Sequence, residues 1–282
     1  MPKRAPILLL AGLAIAALLA AERRWPLRLR TQPAPRRIAD NVMLGALSLA
    51  VIATVQRPLA IGLAQHVEAR GQGLVRLLPR HLQAPAAFLL LDYTMYLWHV
   101  ATHRVPTLWR LHVVHHVDLD MDASTALRFH AADMTISVVL RLAQIRLIGV
   151  SPQVLEVWEA FFFASVLFHH SNLRVPGDTQ LAWLLTTPGM HDIHHRAELQ
   201  AQDSNWSSGL SLWDRLHGTL RLVPSTARMG VPAYPDAADA SLAVALALPF
   251  MPQRPAWGDS GSAPPASPSP PAFRRARRSA RG

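Results

Sequence analysis

The chain has 282 residues, 50% of them hydrophobic, a net charge of +10 and no cysteine. Without cysteine there are no disulfides, no haem-thiolate and no cysteine-held iron–sulfur cluster. The basic excess sits mostly in two arginine-rich blocks, 23–37 and 274–281; no nucleic-acid reading motif accompanies them, so the positive-inside rule of membrane proteins explains them better than nucleic-acid binding.

In chain order, Met1-Pro2-Lys3-Arg4 precedes an apolar run from Ile7 to Ala21. This has the layout of a signal peptide. The arginines that follow and the apolar spans beyond them favour an uncleaved first membrane helix. Apolar segments fall at 6–21, 41–65, 84–102, 133–149 and 152–170. The expected fold is therefore an all-α integral membrane bundle of about four to five transmembrane helices. Arg57-Pro58 predicts a kink or a break in the second segment. Arg141 and Arg146 predict that the fourth is tilted or half-buried, with its charges turned to protein or water. Gly149-Val150-Ser151-Pro152 marks a tight turn before the fifth. The stretch 240–252 is apolar but too short to span, and is expected in the membrane interface. Residues 253–282, rich in Pro, Ser, Ala and Arg, read as a disordered tail. The expected domains are N-terminal transmembrane segments (1–90), a catalytic domain (91–222), a peripheral segment (223–252) and the tail (253–282).

Three histidine clusters stand out: His99-x-x-x-His103, His112-x-x-His115-His116 and His191-x-x-His194-His195. Residues three and four apart share one helix face, so each cluster can aim two or three nitrogens at one point. Eight imidazoles exceed the four ligands of a tetrahedral ion, which predicts two metals side by side. The 22–40 loop carries Arg23, Arg24, Arg28, Arg30, Arg36 and Arg37, whereas 66–82 carries only Arg70, Arg76 and Arg80. The more basic loop belongs in the cytoplasm, which gathers the clusters at one cytoplasmic membrane face, in a bacterial inner membrane.

An all-histidine pair of ions suits redox chemistry, and two Fe(II) ions can deliver two electrons to O₂ and oxidise an unactivated C–H bond. Hydroxylation and desaturation both remain open. A zinc-dependent membrane hydrolase is the first rival, but no cluster contains the catalytic Glu that such sites carry. A metal transporter or sensor is the second, but transport places polar groups at mid-membrane depth. No nucleotide or flavin motif is visible, so electrons come from an external carrier: a cytochrome b5-like, ferredoxin-like or NAD(P)H-reductase-like protein.

The stretch Asp92-Tyr-Thr-Met-Tyr-Leu-Trp-His99-Val-Ala-Thr-His103-Arg-Val-Pro-Thr-Leu-Trp-Arg-Leu-His112-Val-Val-His115-His116 resembles the fatty acid hydroxylase/sterol desaturase superfamily. Met121 to His130, His170-Ser-Asn172, His191-Asp-Ile-His194-His195 and Asn205-Trp-Ser-Ser-Gly-Leu-Ser-Leu-Trp213-Asp214 to Thr219 continue the resemblance over about 90–220. It implies a membrane di-iron oxygenase acting on a lipid with O₂, zinc being able to take iron's place in recombinant protein. It carries the ligand role to His99, His103, His112, His115, His116, His191, His194 and His195, and adds His130 and His170. The chain departs from the pattern at Ala131, where the family has Pro, with Asp133 at the place of the acid. It departs again at Trp206 for Tyr and at His217 for Phe. Asp92 reads either as a partner of a ligand imidazole or as a helix-end charge. Trp98 and Trp109 read as interfacial anchors, Asn172 and Asp214 as orienting residues, and His66, His81 and His217 as surface or packing residues. His169 stays ambiguous, because adjacent helical residues point in different directions.

Overall fold

The structure, a computed structural model, describes residues 4–256. The signal-like start (Met1 to Lys3) and most of the tail expected to be disordered (257–282) lie outside these residues. Among the described residues the fold is all helical, with isolated bridges and no strand. Helices α1 (Arg4–Arg24), α2 (Ala34–Val51), α3 (Arg57–Ala69), α4 (Arg80–Arg104), α5 (Pro106–His116), α6 (Ala131–Gln144) and α7 (Pro152–His170) carry every apolar segment expected from the sequence. Of the four to five spans expected, one helical stretch, Ala34–Leu77, is by length and composition long and apolar enough to cross a membrane.

Local chemistry sets the breaks. Pro58 removes a backbone donor from the middle of a long helix. The chain absorbs this in a π-helical turn, Ile52–Gln56, that joins α2 to α3 without a loop. Pro106 forces the residue before it out of the helical region. Val105 is accordingly extended (φ −95°, ψ 115°), and α4 stops where α5 begins. Ser151 and Pro152 start α7, the Ser151 hydroxyl accepting from the Val154 N–H at 3.3 Å. Four short helices follow: α8 (Asp178–Leu181), α9 (Pro188–His194), α10 (Leu199–Gln202) and α11 (Leu212–His217). Thr187 caps α9, accepting from the Met190 N–H at 3.2 Å.

At one end of the bundle the core is built on Ala60, Ala64 and Val67 of α3 packed against Leu91, Ile145, Leu155 and Trp158. At the other end Val113, Val114 and Val117 pack against Leu44, Val231, Tyr234, Ala245 and Leu248. The segment 240–252, expected in the interface, thus lies partly against the back of α5. Its α12 (Leu242–Ala247) buries Ala245, while Phe250 and Met251 stay exposed.

The turn predicted at 149–152 is also a close contact between backbones. Gly73 and Gly149 both have positive φ (102° and 90°), and a Cβ on Gly73 would overlap the Gly149 backbone. Gly73→Ala or Gly149→Ala should therefore destabilise the protein by about 1–3 kcal/mol, seen as a lower Tm of the purified protein in detergent. An unchanged Tm in both variants would contradict this packing.

Candidate metal centre

The break at Val105 folds α5 back across the end of α4, so the first two histidine clusters face each other. The end of α7 and the whole of α9 close the remaining sides. The ten histidines in this region then sort themselves by helix geometry. His99, His103, His116 and His194 form one group, and His115, His170, His191 and His195 a second; within each group the ligand nitrogens lie within 4.8 Å of one another. Neighbouring residues on a helix point about 100° apart. The His115-His116 doublet is therefore split between the groups, and the segment His194-His195 is split in the same way. The groups adjoin: the His116 and His195 rings stack at 4.4 Å between centroids, with 15° between their planes.

The second nitrogens orient the rings. Nδ1–H of His99 donates to the Trp206 carbonyl at 2.7 Å, that of His194 to the Ser204 carbonyl at 2.8 Å and that of His170 to the Val166 carbonyl at 2.8 Å. Since a carbonyl only accepts, each of these rings keeps its lone pair on Nε2, facing inward. In the first group Nε2 of His103, His116 and His194 is buried without a hydrogen-bond partner. In the second, Nε2 atoms converge in a chain, His115 to His170 at 3.0 Å, His170 to His191 at 3.1 Å and His191 to His195 at 3.1 Å. Metal–nitrogen bonds of about 2.0–2.1 Å put adjacent ligand nitrogens roughly 3.0–3.4 Å apart. Spacing, tautomers and unpartnered lone pairs all fit a metal ion in each group. Burial, reinforced by the neighbouring imidazoles, pushes the pKa of His115, His116, His191 and His195 well below the ordinary imidazole range, and burial takes His194 down to about 3. These imidazoles are neutral at physiological pH, the form that binds metal.

Two predicted ligands fall outside the groups. His130 caps α6 instead: its Nδ1 accepts from the Ala132 N–H at 3.0 Å, and its ring packs on Phe250. His112 is buried beside both groups with Nε2 unpartnered and Nδ1 3.9 Å from Asp133. His169, ambiguous in the sequence, packs with its ring centroid 4.2 Å from that of His191, the two planes tilted by 57°, and its Nδ1 is buried and unpartnered. His66 and His81 are exposed, and His217 packs on Tyr93 and Tyr96.

The supporting residues have clear tasks. Trp206 is buried and walls the first group, its ring 4.6 Å from His103 and 5.1 Å from His194. Asp92 touches no ligand imidazole. It accepts from Trp213 Nε1 at 2.7 Å and from the Leu210 N–H at 3.0 Å, which pins the 205–213 segment under α4. Asp214 accepts from the N–H groups of Trp206 and Ser207 at 2.9 Å each. Trp98 lines the cavity described below, and Trp109 packs on His103 and His116.

Sequence reasoning missed the second task of the basic N-terminal loop. Arg28 donates to Asp192, inside the third histidine cluster, at 2.6 Å, and its backbone pairs with the Asn172 side chain. Arg37 binds Asp118 at 2.7 Å and also Asp122. Arg128, fully buried, donates to the Val114 and Ala240 carbonyls and to Asn41.

From the histidines a mostly apolar cavity of about 320 Å³ runs between α2, α4, α6 and α7, lined among others by Leu49, Ile52, Trp98, Leu140, Phe162 and Phe163. Residues 84–219 match the family model described as fatty acid hydroxylase. Over that stretch, just under half of its length, the chain is similar to the fatty acid hydroxylase family. Among its relatives, the alkylglycerol monooxygenase of Xenopus tropicalis is 31% identical over 132 residues, 47% of this chain and 29% of that protein. The ornithine lipid hydroxylase OlsE of Rhizobium tropici is 27% identical over 148 residues, 52% of this chain and 44% of that protein. A cholesterol 25-hydroxylase-like protein of Danio rerio is 30% identical over 140 residues, 48% of this chain and 54% of that protein. The chain thus spans about half or less of the length of these relatives. No solved structure matches it.

Because each group draws on its own imidazoles, the purified protein should bind about two divalent ions per chain. His116→Ala and His191→Ala should each lose about one, read by metal analysis after anaerobic iron loading. Full loading in both variants would contradict the two-group arrangement.

Proposed function

We propose that the protein is a membrane-embedded di-iron oxygenase that hydroxylates a C–H bond of a lipid. The observation that carries this reading is the pair of adjoining all-histidine groups opening on one apolar cavity. With iron held by His99, His103, His116 and His194 and by His115, His170, His191 and His195, the centre would supply the reducing equivalents that O₂ needs at a C–H bond. The overall balance is R–H, O₂, two electrons and two protons giving R–OH and water. Nitrogen donors disfavour Mg and Ca, which take oxygen ligands.

The protein's own residues bind, orient and exclude water. Trp98, Phe162 and Phe163 hold an acyl chain and keep the site dry, which suppresses side reactions of activated oxygen. Carbonyl acceptors at Val166, Ser204 and Trp206 fix three ligand rings in place. Electrons arrive from an external carrier. The helices α1, α2–α3, α4, α6 and α7 serve as the membrane bundle, and the basic 22–40 loop places the metal end in the cytoplasm of a bacterial cell. The names of the relatives, a monooxygenase of alkylglycerols and a hydroxylase of ornithine lipid, support a lipid as the substrate class and hydroxylation over desaturation. A zinc hydrolase of the usual kind would need a catalytic glutamate beside its ligands, and Glu159, the one glutamate lining the cavity, sits more than two helical turns along α7 from His170.

The test is growth under ¹⁸O₂ of a deletion strain complemented with the wild-type gene or with His115→Ala or His194→Ala. Wild type should restore a lipid carrying one ¹⁸O hydroxyl, and either variant should reduce it at least a hundredfold at equal membrane abundance. Equal labelling by wild type and both variants would overturn the assignment.

A further inference from the structure

The cavity that starts at the histidines does not end in apolar surface. Its far end is lined by Gln56, Arg141, Gln144 and Glu159. Arg141 is 8% exposed, and its guanidinium lies 4.6 Å over the Trp158 ring. Its Nη1 donates to Gln144 Oε1 at 2.7 Å, and Gln144 is held in turn by Thr94. Its Nε, however, is buried with no hydrogen-bond partner, and stands 3.8 Å from the Glu159 carboxylate. That separation is too long for a hydrogen bond. A buried charged donor and a carboxylate thus face the same space without closing on each other, and leaving such a donor unpaired is unfavourable. The formal charge around this end is balanced: Arg57, at the outer rim, pairs with both Glu156 and Glu159.

We propose that this end of the cavity seats the neutral, hydroxyl-bearing polar end of an amphiphile. Its hydroxyl accepts from Arg141 Nε and donates to Glu159, and its apolar chain runs toward the histidines. A hydroxyl is both donor and acceptor, so it satisfies both groups at once. A carboxylate or phosphate would satisfy Arg141 but face Glu159 with like charge. Glu159 to His170 is eleven residues of α7, and Arg141 to Asp133 beside His112 is eight residues of α6. The two ends are therefore roughly 12–16 Å apart at the helical rise. The chain is oxidised far from its polar end. This inference rests on the oxygenase reading for what happens at the histidines, but head-group binding is measurable without turnover.

The experiment is equilibrium binding of radiolabelled n-dodecanol to the metal-loaded full-length protein in nanodiscs, under argon and without reductant. Unlabelled 1-methoxydodecane, which cannot donate a hydrogen bond, and dodecanoate serve as competitors. Wild type should prefer the alcohol to either competitor by about tenfold or more. Arg141→Met should erase that preference. Glu159→Gln should raise dodecanoate affinity about tenfold, because Arg141 then lacks its counter-charge. No discrimination by wild type, or full discrimination by Arg141→Met, overturns the proposal. If Arg141→Met does not accumulate in the membrane, Glu159→Gln decides, and an unchanged dodecanoate affinity overturns it. A retained alcohol preference with no ¹⁸O product would sink the oxygenase reading alone; labelled product without head-group discrimination would sink this site alone.

Discussion

Eight imidazoles buried side by side are the constraint on which the rest of the molecule depends. In water each ring would titrate near the physiological range. Packed together and dry, they can be protonated only at high cost, so the fold must hold them neutral. For His99, His170 and His194 main-chain carbonyls take up the second nitrogen, whereas Nδ1 of His115, His116 and His191 is buried without a hydrogen-bond partner. The Val166 carbonyl lies within α7 itself, whereas those of Ser204 and Trp206 come from a loop with little regular structure. That loop needs its own support. Asp92, Asp214 and the positive-φ Asn205, whose side chain bonds the Met190 and Arg221 backbones, provide it. Gly209 is there because a side chain would collide with the Asp92 carboxylate.

A second tier of charge encloses the first. Arg37 and Arg128 are buried, and Arg28 is mostly buried, against Asp192, Asp118, Asp122 and backbone carbonyls. Buried ion pairs contribute little net stability, but losing one partner strands the other in a low-dielectric setting. Their effect is to fix where α2 and the N-terminal loop sit relative to α5 and α9. The N-terminal loop and α2 are therefore part of the site's architecture.

Much of this was legible because the clusters themselves encode the geometry. A His-x-x-His-His run on a helix can only send its last two rings in different directions, and two such runs facing each other make two groups. Pro106 gave the break between α4 and α5, and Arg57-Pro58 gave the irregularity that became a π turn. His130 was read as a ligand, and a histidine before a helix reads the same whether it caps the helix or binds metal; in the structure its Nδ1 caps α6 and it lies in neither group. The contacts of Arg28 and Arg37 join residues eighty or more positions apart, and no local pattern announces such a pairing. The polar end of the cavity was visible only as arginine inside an apolar segment. Its partner on α7, Glu159, emerges when α6 and α7 pack.

The central claim is that the two histidine groups each hold one iron ion, side by side, at the head of the cavity. Anomalous X-ray scattering at the iron edge, from crystals of the full-length iron-loaded protein, tests it most directly. The account predicts two neighbouring iron peaks, one among His99, His103, His116 and His194 and the other among His115, His170, His191 and His195. A single peak, or iron bound away from these residues, would contradict it.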